Sequence, residues 1–291
     1  MIRPIQAPFG KGEILSKSTD LTYRIHTTES CHQPVTEGLH NCARQSRETE
    51  SELYVLQSPD PFYTRVLSLF ESYGTGYDFV GYWTQLLNDK PVALISRFED
   101  KFSLYLTDDS DLEEIAAFLR FQGAGAVTFN AAYSLDLSAK HVISGQVLRY
   151  SDSDYNSESE ICEPDFKTVY ELLLTCQSEI FRVPPYLSFL SDVTHRRNLG
   201  KCMVIGAKVD DTLASSVMTV SETEYAAIIG AVATHPDYRR RGLSRGLVRT
   251  LASRIKGQGR ETYVFSASEQ NTRFYQNSGF EIAAEFKEMF L

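Results

Sequence analysis

The sequence predicts an α/β protein built as two tandem units with mixed sheets, the C-terminal one complete. Short β-branched and apolar runs alternate with segments of helical spacing from about residue 53 onward. The length of 291 residues favours two domains over one. A content of 42% hydrophobic and 23% charged residues excludes a fibrous or wholly disordered chain.

Residues 1–49 are polar and interrupted by Pro4, Pro8, Gly10, Gly12 and Pro34, the pattern of a weakly ordered extension. A first α/β domain is expected over 50–140. Val66, Leu69 and Phe70, then Phe79, Tyr82, Trp83, Leu86 and Leu87, are spaced as helices broken at Gly74 and Gly76. Residues 92–96 and 102–107 read as a hairpin about Glu99 and Asp100. Asp108 to Ser110 can cap a helix holding Leu112, Ile115, Ala116 and Leu119, and 126–129 reads as a strand.

The second domain is expected over 141–291, opening with a strand at 142–150. The acidic run 151–160 is either a loop inside this domain or the linker itself; a boundary near residue 140 takes it as a loop. Helices follow at Phe166 to Leu174 and after Pro184-Pro185. Strands at 203–209 and 213–220 flank an Asp210-Asp211 turn. Residues 225–234 are small and β-branched, as in a strand buried on both faces. Leu243, Leu247, Leu251 and Ile255 recur every four residues on a long helix ended by Gly257 and Gly259. A strand at 262–266, a helix at 269–277 and a strand at 280–291 complete the chain.

Charge is divided unevenly. The whole chain carries 29 basic and 38 acidic side chains, net −9, but residues 1–163 hold 13 basic against 24 acidic and residues 164–291 hold 16 against 14. The second half is therefore where an anion is tolerated, and an overall acidic surface argues against general nucleic-acid or membrane binding. Five widely spaced cysteines, Cys31, Cys42, Cys162, Cys176 and Cys202, argue against a disulfide framework and for a reducing compartment. No secretory apolar run opens the chain. The longest small-apolar stretch, 226–233, falls short of the roughly 20 residues that span a bilayer. A cytoplasmic protein is expected. Cys31, His32, His40 and Cys42 match no usual zinc spacing, so no metal is expected.

The chemistry concentrates in one segment. A central strand ends at Thr234, Pro236 stops it, and Arg239-Arg240-Arg241-Gly242-Leu243-Ser244 leads into an amphipathic helix. Main-chain N–H groups at such a turn, with the positive helix end, form a site for a diphosphate. Arg241, Arg245 and Arg249 follow at i, i+4 and i+8 along one helix face. The Gly-x-x-x-x-Gly-Lys-Ser/Thr pattern of a triphosphate-binding loop is absent, and its lysine is missing.

This segment resembles the acyl-CoA loop of the GNAT superfamily of N-acetyltransferases, Gln/Arg-x-x-Gly-x-Gly/Ala, with Ser244 standing where that pattern has glycine or alanine. Downstream, Asn271-Thr-Arg-Phe-Tyr275-Gln-Asn-Ser-Gly-Phe280 is similar to the family's distal element, in the same order and one helix plus one strand away. The resemblance covers 141–291 and extends to 50–140 as a degenerate first copy. It implies acetyl-CoA as cosubstrate, no metal, and transfer of the acetyl group to a primary amine by direct attack. A small-molecule acceptor is favoured over a protein.

The resemblance further implies that Arg239, Arg240, Arg241, Gly242, Leu243, Ser244 and Arg245 bind the diphosphate, and that Val232, Ala233, Thr234 and Asn271 line the rest of the cofactor. The N–H groups of Val232 and Thr234 are the candidates to stabilise the oxyanion. Tyr275 is the implied general acid to the leaving thiolate. The base is open between Glu222 and Glu224, either acting through water. The rival reading is a non-catalytic CoA-binding sensor or an interaction module on the same fold; nucleic-acid binding through the arginine run is a weaker third. His235 reads as a surface histidine.

Overall fold

The computed structural model describes residues 2–4, 52–54, 56–152, 161–177 and 181–291. The polar extension (all but residues 2–4), the Cys31–Cys42 cluster and most of the acidic run lie outside the described residues. The chain divides into two units. One comprises Met1–Gln57, Leu69–Val142 and Lys287–Leu291, and the other Ser58–Ser68 and Ile143–Phe286. The contiguous domains expected from sequence thus exchange two segments: part of the first helix counts with the second unit, and the last residues count with the first.

In the first unit β1 (Ile2–Pro4), β2 (Val80–Leu87), β3 (Lys90–Phe98) and β4 (Lys101–Leu106) pair antiparallel in sequence order. Then β4 pairs parallel with β5 (Ala126–Asn130) through α2 (Leu112–Phe121), the helix that follows α1 (Pro61–Tyr73). The hairpin about Glu99 is present, with that residue at φ 56°. Of residues 79–87, spaced like a helix, Val80–Leu87 form a strand instead and Phe79 lies in the turn before it. Four consecutive positions of β2, Tyr82 to Gln85, are buried, so this stretch has no solvent-exposed face and no period-2 signature. Trp83, Ile95, Phe102, Leu104, Ile115, Leu119 and Phe129 form its core with α2.

The second unit contains β6 (His141–Tyr150, from Ile143), α3 (Phe166–Thr175), α4 (Tyr186–Asn198), β7 (Val204–Val209), β8 (Thr212–Glu222), β9 (Ala226–Thr234), α5 (Leu243–Gly257), β10 (Glu261–Ser266), α6 (Glu269–Gln276) and β11 (Phe280–Phe290, to Phe286). Spatial order runs β11-β6-β10-β9-β8-β7, with β9 and β10 parallel. Neighbouring residues on one strand serve opposite faces. Val204, Leu213, Met218 and Ala233 face α3 and α4, whereas Ile205, Val217, Ile229 and Val264 face α5. Leu247, Val248, Leu251, Ala252 and Ile255 are buried along α5. Each fully buried large aliphatic side chain contributes about 1.5–3 kcal/mol, enough together to fix where the helix begins. Among the described residues no helix is long and apolar enough to cross a membrane.

Candidate active site

The site is built at the ends of two parallel strands. Pairing of β9 with β10 covers only Ala226–Ile229 against Glu261–Val264, although both strands continue, so they part beyond that point. On its other side β9 carries a bulge. Between the Ser216↔Ala233 and Met218↔Gly230 pairs, one residue of β8 faces two of β9, Ala231 and Val232, and Ala231 has φ 47°. A second irregularity gives β8 the extra residue Val220.

After the bulge the ladder fixes where backbone groups point. His235 N donates to Ala214 O at 2.9 Å, so in the alternating antiparallel pattern Ser215↔Thr234 is a non-hydrogen-bonded pair. The N–H and C=O of Thr234 therefore point away from β8, toward the side that β10 has left. The Thr234 carbonyl accepts from Arg239 Nε (3.2 Å) and from Cys176 Sγ (3.3 Å).

The chain then makes a short 3₁₀ turn at Pro236–Tyr238 and enters the arginine loop. Arg240 is left-handed at φ 64°, a conformation costing on the order of 1–3 kcal/mol for a residue with a Cβ, and such strain clusters at ligand sites. Gly242 caps α5 at φ 80° with no side-chain hydrogen bond to the helix start, and no acidic residue occupies the first turn. The space where a Cβ on Gly242 would lie is open. The amides of the first turn are thus left to an outside acceptor at the positive end of a 15-residue helix. These residues fit a diphosphate.

The arginines do not act as one stripe. Arg240, Arg241 and Arg245 are exposed, and Arg241 lies over the Tyr238 ring at 5.1 Å. Arg239 turns its Nε onto the end of β9, and Arg249 forms a 2.6 Å ion pair with Asp152, a residue that sequence reading did not connect to the helix. Ser244 is half-buried, its hydroxyl hydrogen-bonded to Thr234 Oγ1 and 3.5 Å from Ser215 Oγ. Ser215, Asp152 and Cys176 carried no sequence signal, because nothing in a motif marks residues brought in from 19 to 97 positions away.

Tyr275 sits on α6, which follows β10 as the arginine loop follows β9. Its ring packs with Phe274 and Phe280, on the same apolar cluster that Val232 and Leu243 join. Burial pushes its phenol up to about 12 from the usual 10. Asn271 lies one turn earlier on the exposed side of α6, its N–H donating to the capping Ser268 Oγ at 3.2 Å.

The structure does not bring the carboxylates to this gap. Glu224 is exposed in the turn entering β9, seven residues before the bulge, which at about 3.3 Å per residue is roughly 20 Å away. Glu222 is 1% exposed and committed to structure: it pairs with Arg260 Nη1 at 2.8 Å and accepts from Met203 N and Thr219 Oγ1. Among the described residues no three His, Cys, Asp or Glu side chains are grouped to hold a metal ion.

Residues 166–280 match the family model "Acetyltransferase (GNAT) family". Solved structures share the fold at low identity. A GCN5-related N-acetyltransferase from Sphaerobacter thermophilus is 15% identical, with a TM-score of 0.54 over 82% of this chain and 87% of that one. An acetyltransferase of the GNAT family from Colwellia psychrerythraea is 12% identical, with a TM-score of 0.51 over 83% and 96%. A tandem GNAT protein from the clavulanic acid biosynthesis pathway is 13% identical, with a TM-score of 0.52 over 84% and 95%. No curated protein matches the sequence.

Proposed function

We propose that this chain, which carries a GNAT acetyltransferase domain over residues 166–280, transfers the acetyl group of acetyl-CoA to a small-molecule primary amine by direct attack. The observation that carries the reading is the uncapped start of α5 beside a strand end whose backbone faces the gap between β9 and β10. Bound acetyl-CoA supplies the activated acyl group and a thiol leaving group.

In this reading the first-turn amides of α5, with Arg240, Arg241 and Arg245, hold the diphosphate, and Arg239 holds the strand end in place. Charge-assisted amide bonds contribute about 1.5–3 kcal/mol each. The backbone from Val232 to Thr234 orients the pantetheine arm, Asn271 borders it, and the Thr234 N–H stabilises charge developing on the thioester oxygen. Tyr275 keeps its proton at neutral pH. A thiol has a pKa near 8.5, so a phenol at about 12 gives the departing sulfur a hydrogen bond rather than its whole proton. Because Glu224 lies at the opposite end of β9, the amine's proton leaves to water. Cys162, Cys176 and Cys202 are free thiols, which fits a cytoplasmic location.

The test is calorimetric titration with acetyl-CoA, followed by thiol release over a panel of amines, amino acids, polyamines and peptides. Micromolar binding and turnover with a small amine are expected. Binding without turnover across the panel makes the protein a CoA-binding module, and absence of binding overturns the assignment of the loop.

A further inference from the structure

Ser244 poses a problem for an anion site. A serine in the first turn of a helix readily turns its hydroxyl onto the turn's own N–H groups, taking the donors a diphosphate needs. Here it does not: the N-cap is Gly242, which has no side chain, and the hydrogen bonds of the Ser244 hydroxyl go to side chains of β8 and β9. The hydroxyl is engaged elsewhere, with Thr234 Oγ1 and near Ser215 Oγ.

Counting protons gives the group a direction. Ser215 is fully buried on β8, and its Oγ is 2.8 Å from the Ala233 carbonyl, which can only accept, so the Ser215 proton is committed there. Ser215 Oγ, 2.9 Å from Thr234 Oγ1, then accepts from Thr234. Thr234 in turn accepts from Ser244. Three protons thus run Ser244 to Thr234 to Ser215 to the Ala233 carbonyl, each hydroxyl donating once. Thr234 is pinned at its other end by Arg239 and Cys176 on its carbonyl.

We propose that this relay diverts the Ser244 hydroxyl from the amides of the first turn and so keeps them open for a diphosphate. Thr234 and Ser215 are positioning residues for the cosubstrate, acting through Ser244. The inference rests on the assignment of this loop to acetyl-CoA and adds what makes a serine compatible with it.

The experiment is calorimetric titration of the full chain with CoA. Thr234→Val, which keeps the branched shape and removes the hydroxyl, weakens binding about 5–10-fold, the size of one lost hydrogen bond. Thr234→Ser restores it. Ser215→Ala, at the buried end of the relay, gives a similar loss. The deciding variant combines Thr234→Val with Ser244→Ala: with no hydroxyl left to divert, it binds CoA more tightly than Thr234→Val alone. A relay that merely braced the loop would leave the double variant no better. That result overturns the proposal, as does wild-type affinity in Thr234→Val. Melting midpoints of each variant establish that it is folded. Failure of the wild type itself to bind CoA defeats the loop assignment and this inference with it, an outcome distinct from normal binding with no effect of Thr234→Val.

Discussion

The two units share one succession of elements, and within it they differ at one turn. In each, a three-strand antiparallel run (β2-β3-β4 or β7-β8-β9) leads through a helix (α2 or α5) to a strand parallel with the third. In each, the parallel pair separates early; β4 and β5 pair only over Lys101–Ser103 and Ala126–Thr128. At the start of α2 the amides of Glu113 and Glu114 are taken by Asp111 Oδ1 at 3.1 and 3.0 Å. The preceding turn is also satisfied from within: Thr107 N bonds Ser110 Oγ, and Asp111 N bonds Gln85 Oε1, both at 2.9 Å. Asp108, Asp109, Asp111, Glu113 and Glu114 add negative charge. At α5 a left-handed glycine replaces the capping carboxylate and arginines replace the acids. One topology can therefore leave the helix N–H groups open or seal them, depending on whether the chain's own side chains occupy them.

The strongest way to break that contrast is Gly242→Val. Space is open around the would-be Cβ, so the damage is in the backbone: a β-branched residue resists φ 80°. Loss of CoA affinity of about 100-fold or more is expected, with Gly242→Asn, whose side chain tolerates the left-handed region, losing far less. Calorimetry showing equal loss for both would move the cause from conformation to bulk.

Next in size is Tyr275→Phe. Turnover should fall about 100-fold while CoA affinity changes little, because in the proposed mechanism the hydroxyl acts on the departing sulfur and not on the diphosphate. Its pKa sits above that of free tyrosine, so the phenol stays protonated as pH rises through 10 and ionises only near 12. A kcat profile flat through pH 10 is expected; a descending limb at pH 10 that disappears in Tyr275→Phe would show that the phenol is not buried in the working enzyme.

How much of this contrast was legible in the sequence follows from how local each determinant is. Gly242, the arginines and Tyr275 lie in contiguous motifs, and the helix stripe from Leu243 to Ile255 is read directly from a spacing of four. The scaffold half was harder. Phe79, Tyr82, Trp83, Leu86 and Leu87 fit a helical period as well as a strand, because four buried positions in a row erase alternation in β2. Asp108 to Ser110 and Asp111 are equally good caps by composition; only the bonds to Glu113 and Glu114 select Asp111. In the site half, Glu222 and Glu224 looked near β9 in sequence, yet an extended strand carries its two ends far apart. The bulge at Ala231 and Val232 depends on register against β8, which single-strand composition does not encode.

The smallest effect sharpens the comparison from the other side. Asp111→Ala removes the carboxylate that closes the first unit's helix and leaves two amides, those of Glu113 and Glu114, to water. Loss of such a cap costs about 1 kcal/mol, so denaturant unfolding should record a modest destabilisation, and Asp111→Asn, which still accepts, should recover most of it. CoA stoichiometry should remain one per chain in both variants. Uncapping exposes donors but leaves Asp108, Asp109, Glu113 and Glu114 around them, and four carboxylates repel a diphosphate more strongly than two weakly placed amides attract it. A second CoA bound by Asp111→Ala would mean that the capping carboxylate alone separates the two turns; an unchanged stoichiometry with lowered stability means that the surrounding charge also has to be reversed before the scaffold becomes a site.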